Sequence, residues 1–494
     1  MHSPYFYIIT LTILRLVWHV FQPIGMAGDE TYYWLWGFYP DWGYYSKPPL
    51  IGWIYGVLNH LFQNNTFLFK AFTTLLGSGS LVFFYKTIHL LTKNQKLAFK
   101  CLIAYSLIPA QLLISSFLTV DSPLLFSWTG ACYFFARILC KPTSSLSDFL
   151  GLFVFLSLGH LSKQMMLVQL PLIILTSLIY KPELLKTVKL LFTLIGSLLA
   201  LLPSIVWNSK NGWITFQHTA HHFEKAPFGF LEFIQRLIEL YGSLMILLSP
   251  IFFVLIFKAI PKLKQIRSNK AFGFYALFGV LGFLIVSLLT IRQSINANWP
   301  ASFFPGLIAF IFIAFEQSHR RLLSVGTAFA GSLSLAFALF FIFLEPLSKP
   351  LFNAGLEPQR RAWLGYPKFA QELKALAPEG EQIIGDSHRF VLSQLAYLGG
   401  FQKNVYQWNA TDEIKNQFDF FGTPDKNKKT ILIKEQRHPH DSNKLPENLR
   451  LACESLTYLG ELRFHPLREY PKYKIFFTNN FNHTIQGQSS FHAH

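Results

Sequence analysis

Charge is what this chain most conspicuously lacks. Only 14% of its 494 residues are Asp, Glu, Lys or Arg, where a soluble domain carries about a quarter. With 51% of residues hydrophobic, so little charge cannot keep the chain in water, and much of it must be solvated by lipid. Acid is scarcer than base: 26 Asp and Glu stand against 43 Lys and Arg, for a net charge of +17. The excess is scattered between apolar runs rather than gathered on one face. That pattern speaks against a nucleic-acid partner and for basic cytoplasmic loops near anionic lipid headgroups. Of four cysteines, Cys101, Cys132 and Cys140 lie in or beside apolar segments and Cys453 is alone in a polar tail, so no disulfide framework is expected. The chain has no Gly-rich phosphate loop and therefore no evident nucleotide site. It also shows no internal repeat and no low-complexity tract. What abounds is aromatic, at 17% with 52 Phe, and the mean hydropathy is +0.33.

A helix needs about 20 mainly apolar residues to cross a bilayer. Such stretches lie near 5–27, 66–85, 101–118, 121–140, 149–161, 164–180, 188–206, 237–257, 271–290, 299–316 and 322–344. The fold class expected is therefore an α-helical polytopic membrane protein of roughly eleven spans, followed by a small C-terminal α/β domain. The first segment has neither a basic start nor a small-residue cleavage site, and reads as a retained span rather than a signal peptide. Lys and Arg cluster at Lys86–Lys100, at Arg137 and Lys141, at Lys181–Lys189, at Lys258–Lys270 and at Arg320–Arg321. If those face the cytoplasm, the amino terminus is inside. The loops at 28–65, Trp207–Arg236 and Arg292–Asn298 and the tail from Glu345 then face outward. Arg15 falls inside the first span, where an ion pair, with Asp29 some turns away, is its expected role. The chain divides into a membrane part, 1–344, and an extracytoplasmic part, 345–494. In the latter, helices are expected over Pro367–Leu376 and His388–Leu398, and strands at Glu381–Gly385, Asn404–Gln407, Ile431–Lys434 and Tyr473–Thr478. The end, from about Asn479, is polar and expected to fray.

Candidate chemistry collects on the outward side. Gly28–Trp53, GDETYYWLWGFYPDWGYYSKPPLIGW, puts Asp29 and Glu30 where a span should end, a wet edge rather than lipid-facing surface. Lys47 precedes Pro48 and Pro49, whose fixed φ stiffens the turn. With Tyr44, Tyr45 and other aromatics at headgroup depth, this cation suits a phosphate on a lipid; the plainer reading is an aromatic belt with a surface lysine. TVDSPLL places Asp121 between two apolar runs at a span start, where the structural reading is a helix cap made by Asp121 or Ser122. GHLSKQ breaks a span at His160 and Lys163, one of which could simply snorkel. WNSKNGWITFQHTAHHF carries Trp207, Asn208, His218, His221 and His222. Helical spacing would set the three histidines on one face, a weak metal signal beside a solvated face. NANWPASFFPGL places Asn298 ahead of a proline-started span.

DETYYWLW, WGYYSKPPL, TVDSPLLF, the SKQ break, the WN–NGW segment and NWPA together resemble the bacterial membrane glycosyltransferases related to protein O-mannosyltransferases and the lipid A aminoarabinose transferase. GDSHRFVLSQLAYL, QWN and QFDFF are similar to that family's extracytoplasmic domain. The resemblance implies a C-type glycosyltransferase bundle, a polyprenyl-phosphate sugar donor, and an envelope acceptor such as lipid A, lipopolysaccharide core or another glycan, at the periplasmic face of a bacterial inner membrane. It implies catalytic roles for Asp29, Glu30 and Asp121, and donor-phosphate contacts for Lys47, with Lys163, Tyr44 and Tyr45. Trp207, Asn208, His218 and Asn298 would line the donor and acceptor pocket. No cofactor is certain; a divalent metal is left open, with Glu30 and His218 its candidates. Ser46–Lys47 stands where many relatives have Asp-His, and Tyr32 where the aminoarabinose branch has a basic residue, so sugar and acceptor stay open. The alternatives are a protein O-glycosyltransferase with the same donor type and a lipid-linked sugar transporter.

Overall fold

The computed structural model describes residues 3–224, 229–291, 293–347, 364–409, 413–442, 444–464 and 471–481, with the side chains of 221–224 left aside. The side chains of His221 and His222, and Arg292 and the end from 482 altogether, therefore lie outside the described residues. The chain forms two compact units. One comprises Met1–Phe21, Trp42–Ile51 and Phe67–Phe340; the other comprises Gln22–Asp41, Gly52–Thr66 and Phe341–His494.

The first unit is helical and apolar. Its helices are α1 (Pro4–Phe21), α4 (Thr66–Thr92), α5 (Gln95–Ser106), α6 (Pro109–Ile114), α7 (Asp121–Cys140), α8 (Leu146–Ser162), α9 (Gln169–Tyr180), α10 (Val188–Leu198), α11 (Leu202–Lys210), α12 (Ile214–Glu224), α13 (Phe230–Leu248), α14 (Pro250–Ala259), α15 (Lys270–Tyr275), α16 (Gly282–Leu289), α17 (Phe304–Phe315) and α18 (Arg320–Ile342). Helices α2 (Gly28–Trp36) and α3 (Leu50–Phe62) intervene in the chain; α2 and nearly all of α3 belong to the second unit.

Six helices among the described residues are long and apolar enough to cross a membrane, seven if one bent pair is a single span. Leu50–Phe62, Leu146–Ser162, Gln164–Tyr180 and Trp299–Phe315 are apolar but shorter. The chain is thus a multi-pass membrane protein, but helices of full spanning length do not reach the expected eleven. Proline accounts for two of the differences. The stretch expected at 237–257 is two helices bent by 110° where α13 meets Pro250. Ser249 has φ of 93° and ψ of 132° there; the extended ψ is what a following proline imposes, while the positive φ is a strained value for serine that proline does not account for. The stretch at 101–118 is likewise split between α5 and α6 ahead of Pro109.

Close backbone approach holds the first unit's core. Gly130 of α7 receives the Phe155 ring from α8, and Gly151 of α8 receives the Phe134 ring from α7. A Cβ on Gly306 would stand 2.7 Å from the Gly279 backbone, the small-on-small contact that lets membrane helices pack without a hydrophobic driving force. At the other end of α7 and α8, buried Asp148 joins Arg137 at 2.6 Å and Lys141 at 2.8 Å.

The second unit contains a five-stranded sheet in the order β2-β1-β3-β5-β4, formed by β1 (Gln382–Asp386), β2 (Val405–Gln407), β3 (Thr430–Gln436), β4 (Thr457–Arg463) and β5 (Lys472–Thr478). Strand β1 pairs in parallel with β2 and β3, while β5 is antiparallel to β3 and β4. Two helices, α19 (Tyr366–Leu376) and α20 (Arg389–Leu398), complete the expected α/β arrangement. Helix α2 is part of this unit. Thr31 and Ser393 share a hydroxyl–hydroxyl bond of 3.1 Å, and the Gln394 amide donates to the Met26 carbonyl at 2.8 Å. Tyr32 accepts from the Gln417 N–H at 2.7 Å and stacks on Phe418. The aromatics of DETYYWLW, read from sequence as a headgroup belt, are instead interior: Trp34 and Trp36 are fully buried.

Candidate functional site

Within the first unit, the sequence candidates gather in two places. The first is the turn at Lys47. Tyr44 N–H donates to the Lys47 carbonyl at 3.1 Å, and Lys47 N–H returns to the Tyr44 carbonyl at 3.4 Å, closing a tight turn over Tyr45 and Ser46. Pro48 and Pro49 are buried behind it while Lys47 is half-exposed. The turn is docked on the segment that begins with α11. Gly43 abuts Trp207, where a Cβ would meet the indole side chain at 3.0 Å. Thr215 donates its hydroxyl to the Tyr44 carbonyl at 2.9 Å, and the Tyr45 and His218 rings lie 4.8 Å apart. Asn208, buried, accepts from the Thr215 N–H at 3.0 Å and donates to the Ser204 carbonyl at 2.8 Å. Tyr44, Tyr45, Lys47, Trp207, Asn208 and His218 are thereby one assembly, a lysine carried on a braced turn. Thr215, which ties the halves together, went unnoticed in the sequence. A threonine inside an amphipathic segment gives no signal of its own.

The second place is a buried charge constellation. Lys163 Nζ lies 2.7 Å from Asp121 Oδ1, with the two side chains 9% and 7% exposed. The Asn298 amide donates to Asp121 Oδ2, also at 2.7 Å. Both carboxylate oxygens are thus engaged from sequence distances of 42 and 177 residues. Asp121 opens α7 but makes no side-chain cap, so the capping role does not appear; its charge still suits a helix amino terminus. Lys163 can reach it because α8 stops at Ser162 and Lys163 is extended before the chain resumes as a 3-10 turn. Ser162 fixes that break by donating to the Val120 carbonyl at 2.7 Å. His160 is buried in the last turn of α8.

Two further cations sit inside helices of the first unit. Arg15, 5% exposed, donates to the Ser106 carbonyl at 2.9 Å, so a backbone oxygen is its described partner where an ion pair was expected. Lys70, overlooked in the sequence, is 2% exposed with its ammonium 4.3 Å from the Phe117 ring centre. A lysine in the second turn of a long apolar helix was the available signal.

Asp29 and Glu30 belong to the second unit, at the start of α2, where a helix amino terminus favours carboxylates. Glu30 is buried and accepts from the Ala27 N–H at 2.9 Å, a structural task. Asp29 is exposed. Among the described residues, no group of three His, Cys, Asp or Glu is placed to hold a metal ion, so Glu30 and His218 have no described ligand set around them.

Residues 46–207 match the family described as dolichyl-phosphate-mannose-protein mannosyltransferase, a stretch that contains Lys47, Asp121, Lys163 and Trp207. Over 393 residues the chain is 23% identical to the lipid A galacturonosyltransferase RgtD of Rhizobium johnstonii, covering 79% of this chain and 81% of that protein. The fold is similar to crystal structures of ArnT from Cupriavidus metallidurans. The undecaprenyl phosphate complex aligns with a TM-score of 0.63 at 14% identity, over 95% of this chain and 98% of ArnT. The apo form aligns with a TM-score of 0.65 at 13% identity, over 95% and 97%. With the motif order, the matched stretch and the fold in agreement, this chain is related to the membrane glycosyltransferases of the protein mannosyltransferase and ArnT kind, and it carries the ArnT fold.

Proposed function

We propose that the protein transfers a sugar from a polyprenyl-phosphate donor to a glycolipid of the envelope, lipid A in the first instance, at the periplasmic face of a bacterial inner membrane. The single observation that carries this reading is the braced Lys47 turn. A relative that acts on lipid A supports the acceptor, and a fold shared with a protein crystallised on undecaprenyl phosphate supports the carrier. In the reaction, the bond from sugar C1 to the phosphate oxygen breaks and a bond from C1 to the acceptor oxygen forms. The electron pair leaves on the carrier phosphate, which needs a fixed cation more than a proton. Lys47 supplies that charge, with Tyr44 and Tyr45 shaping its surroundings. A hydroxyl acceptor must lose its proton, and Asp29, exposed at the start of α2, takes it. Asp121 has both oxygens engaged and acts by orienting Lys163 and Asn298. Trp207, Asn208 and His218 hold the turn and line the donor side.

Residues 1–344 do the membrane work and 345–494 form the extracytoplasmic domain, with the loops 22–41 and 52–66 folding with that domain. A reporter active only outside the cytoplasm, fused after the last strand and near Lys264, tests the orientation: activity at the first point alone is expected, and the reverse pattern overturns it. The test of function is transfer by purified protein in liposomes. Undecaprenyl-phosphate sugar and lipid A are supplied, and the product is weighed by mass spectrometry. A lipid A heavier by one sugar is expected. Turnover only with a serine- or threonine-containing peptide, or no turnover with any lipid-linked sugar, refutes it.

A further inference from the structure

The tail motifs GDSH and QWN meet in a cleft that contains none of the residues proposed for transfer. Strand β1 runs parallel to β2 on one side and β3 on the other, so the connection leaving β1 runs to one side and the one leaving β2 crosses back over β1 to the other. In open α/β sheets that switch point leaves a crevice outside the strand ends, where ligands bind. Here the crevice is a cavity of about 630 Å³, lined from the ends of all three parallel strands. That volume lies within the range of small-molecule sites, about 300–1,000 Å³.

The walls are polar and held in place. Glu435 accepts from the Ser387 hydroxyl at 3.0 Å, the His388 N–H at 2.7 Å and Arg437 at 3.2 Å, and its other oxygen accepts from the Tyr473 hydroxyl at 3.2 Å. Asp419 accepts from the Asn409 amide and from two backbone N–H groups. Gln407 donates to the Ser387 carbonyl. Such bracing keeps a pocket open and its polar groups aimed. Burial raises the Glu435 carboxyl, but the hydrogen bonds and the Arg437 charge outweigh it and leave the group below its ordinary value.

Charge decides what fits. Among the described lining residues four carboxylates stand with three cations, and Lys434 is spent on Asp386 at 2.5 Å as Arg437 is on Glu435. A phosphate or other anion would need surplus cations, and a metal would need clustered acids, which are not found among the described residues. Closely alternating donors and acceptors, with a single carboxylate in excess of the cations, beside the Trp408 indole, match a neutral molecule bearing many hydroxyls. We infer that the cleft at the carboxyl ends of β1, β2 and β3 is a binding site for neutral sugar residues of a glycan, separate from the transfer chemistry. This inference does not rest on the proposed transferase activity, since binding requires no turnover.

The test uses the full-length protein in lipid nanodiscs. Dephosphorylated lipopolysaccharide core oligosaccharide and maltotriose are the probes, with inorganic phosphate as the control anion. Ligand-observed saturation-transfer NMR should report contact with an oligosaccharide, and hydrogen–deuterium exchange should slow at 386–388, 407–409 and 434–438 on its addition. The paired replacement Asp386→Asn with Lys434→Gln, which keeps the pair neutral, should weaken binding by about 10- to 100-fold, the scale of lost charge-assisted hydrogen bonds. Slowed exchange in the wild type supports the site even if the variant misfolds. Binding of phosphate but no oligosaccharide, or oligosaccharide contact with no slowing at those segments, overturns it; so does no binding of any probe. None of these outcomes bears on whether the protein transfers sugar.

Discussion

Lys163→Met should be among the most damaging single substitutions in the first unit. At 2.7 Å the attraction of two unit charges at an effective dielectric of 20 is about 6 kcal/mol. Desolvation of both ions cancels much of that, so the intact pair adds little net stability. Removing only the ammonium leaves the Asp121 carboxylate buried with Asn298 as its one remaining described partner. Breaking a buried pair in this way costs about 3–5 kcal/mol. Adding Asp121→Asn should return most of the loss, because the remaining groups are neutral and the Asn298 contact can persist. The assay is the thermal unfolding midpoint of purified protein in one detergent for wild type, Lys163→Met and the double variant. The double variant should unfold above the single one. If it then fails to transfer sugar although stable, the Asp121–Lys163 pair matters to the reaction and not only to the fold. A Lys163→Met protein as stable as wild type would refute the reasoning, since the pair would then be solvated.

Other substitutions probe the remaining parts. Lys47→Ala should leave the midpoint unchanged and weaken donor use by about 2–3 kcal/mol, the scale of a charge-assisted contact, read as a change in kcat/KM for the lipid-linked sugar; unchanged kinetics would remove it from the donor site. Asp29→Asn should slow single-turnover transfer to a hydroxyl by about 100- to 10,000-fold, whereas Glu30→Gln should act mainly on stability; near wild-type transfer by Asp29→Asn rules it out as the base. Gly306→Val should cost about 1–3 kcal/mol of stability, read as a lower midpoint, through overpacking against Gly279, while Gly242→Ala, with open space at its Cβ, should not; equal effects would sink the close-approach argument. Glu435, its folded pKa depressed, stabilises the small domain above the ordinary carboxylate value of about 4.3, and that stability is lost as pH falls through the folded value. Thermal scans should therefore show a steeper acid loss for wild type than for Glu435→Gln, and identical slopes would deny the linkage.

The sequence made the span-bearing segments legible because lipid demands long apolar runs. It made Asp121, Lys163 and Asn298 legible because each interrupts such a run. It did not reveal that they meet, since an ion pair across 42 residues leaves no local periodicity. Proline breaks at Pro109 and Pro250 were visible as residues but not as bends, because Pro is also tolerated at a helix start. In the small unit, β1, β2, β3 and β5 announced themselves by apolar runs. Strand β4 did not: its residues are mostly exposed or half-buried, so TYLGELR lacks the contrast that marks a strand. The basic clusters did not reveal their acid partner either: Arg137 and Lys141 share the one buried carboxylate of Asp148, which offsets one of their two charges.

The least legible feature was which part of the chain α2 belongs to. A short aromatic helix after a first span looks like membrane-surface structure, and nothing in DETYYWLW points to a partner more than 350 residues away. Its partners are nevertheless the tail motifs: Phe390 against Gly28, Ser393 at Thr31, Gln394 on Met26, and Gln417 and Phe418 on Tyr32. Tyr39 stacks on Phe421 and donates to the Lys403 carbonyl. These contacts give FVLSQLAYL and QFDFF a structural task within the second unit. They are the receptor for α2, and they fix the helix whose first turn carries Asp29. Residues 390–421 therefore hold the helix that carries the proposed base, from a part of the chain that contains none of the catalytic candidates.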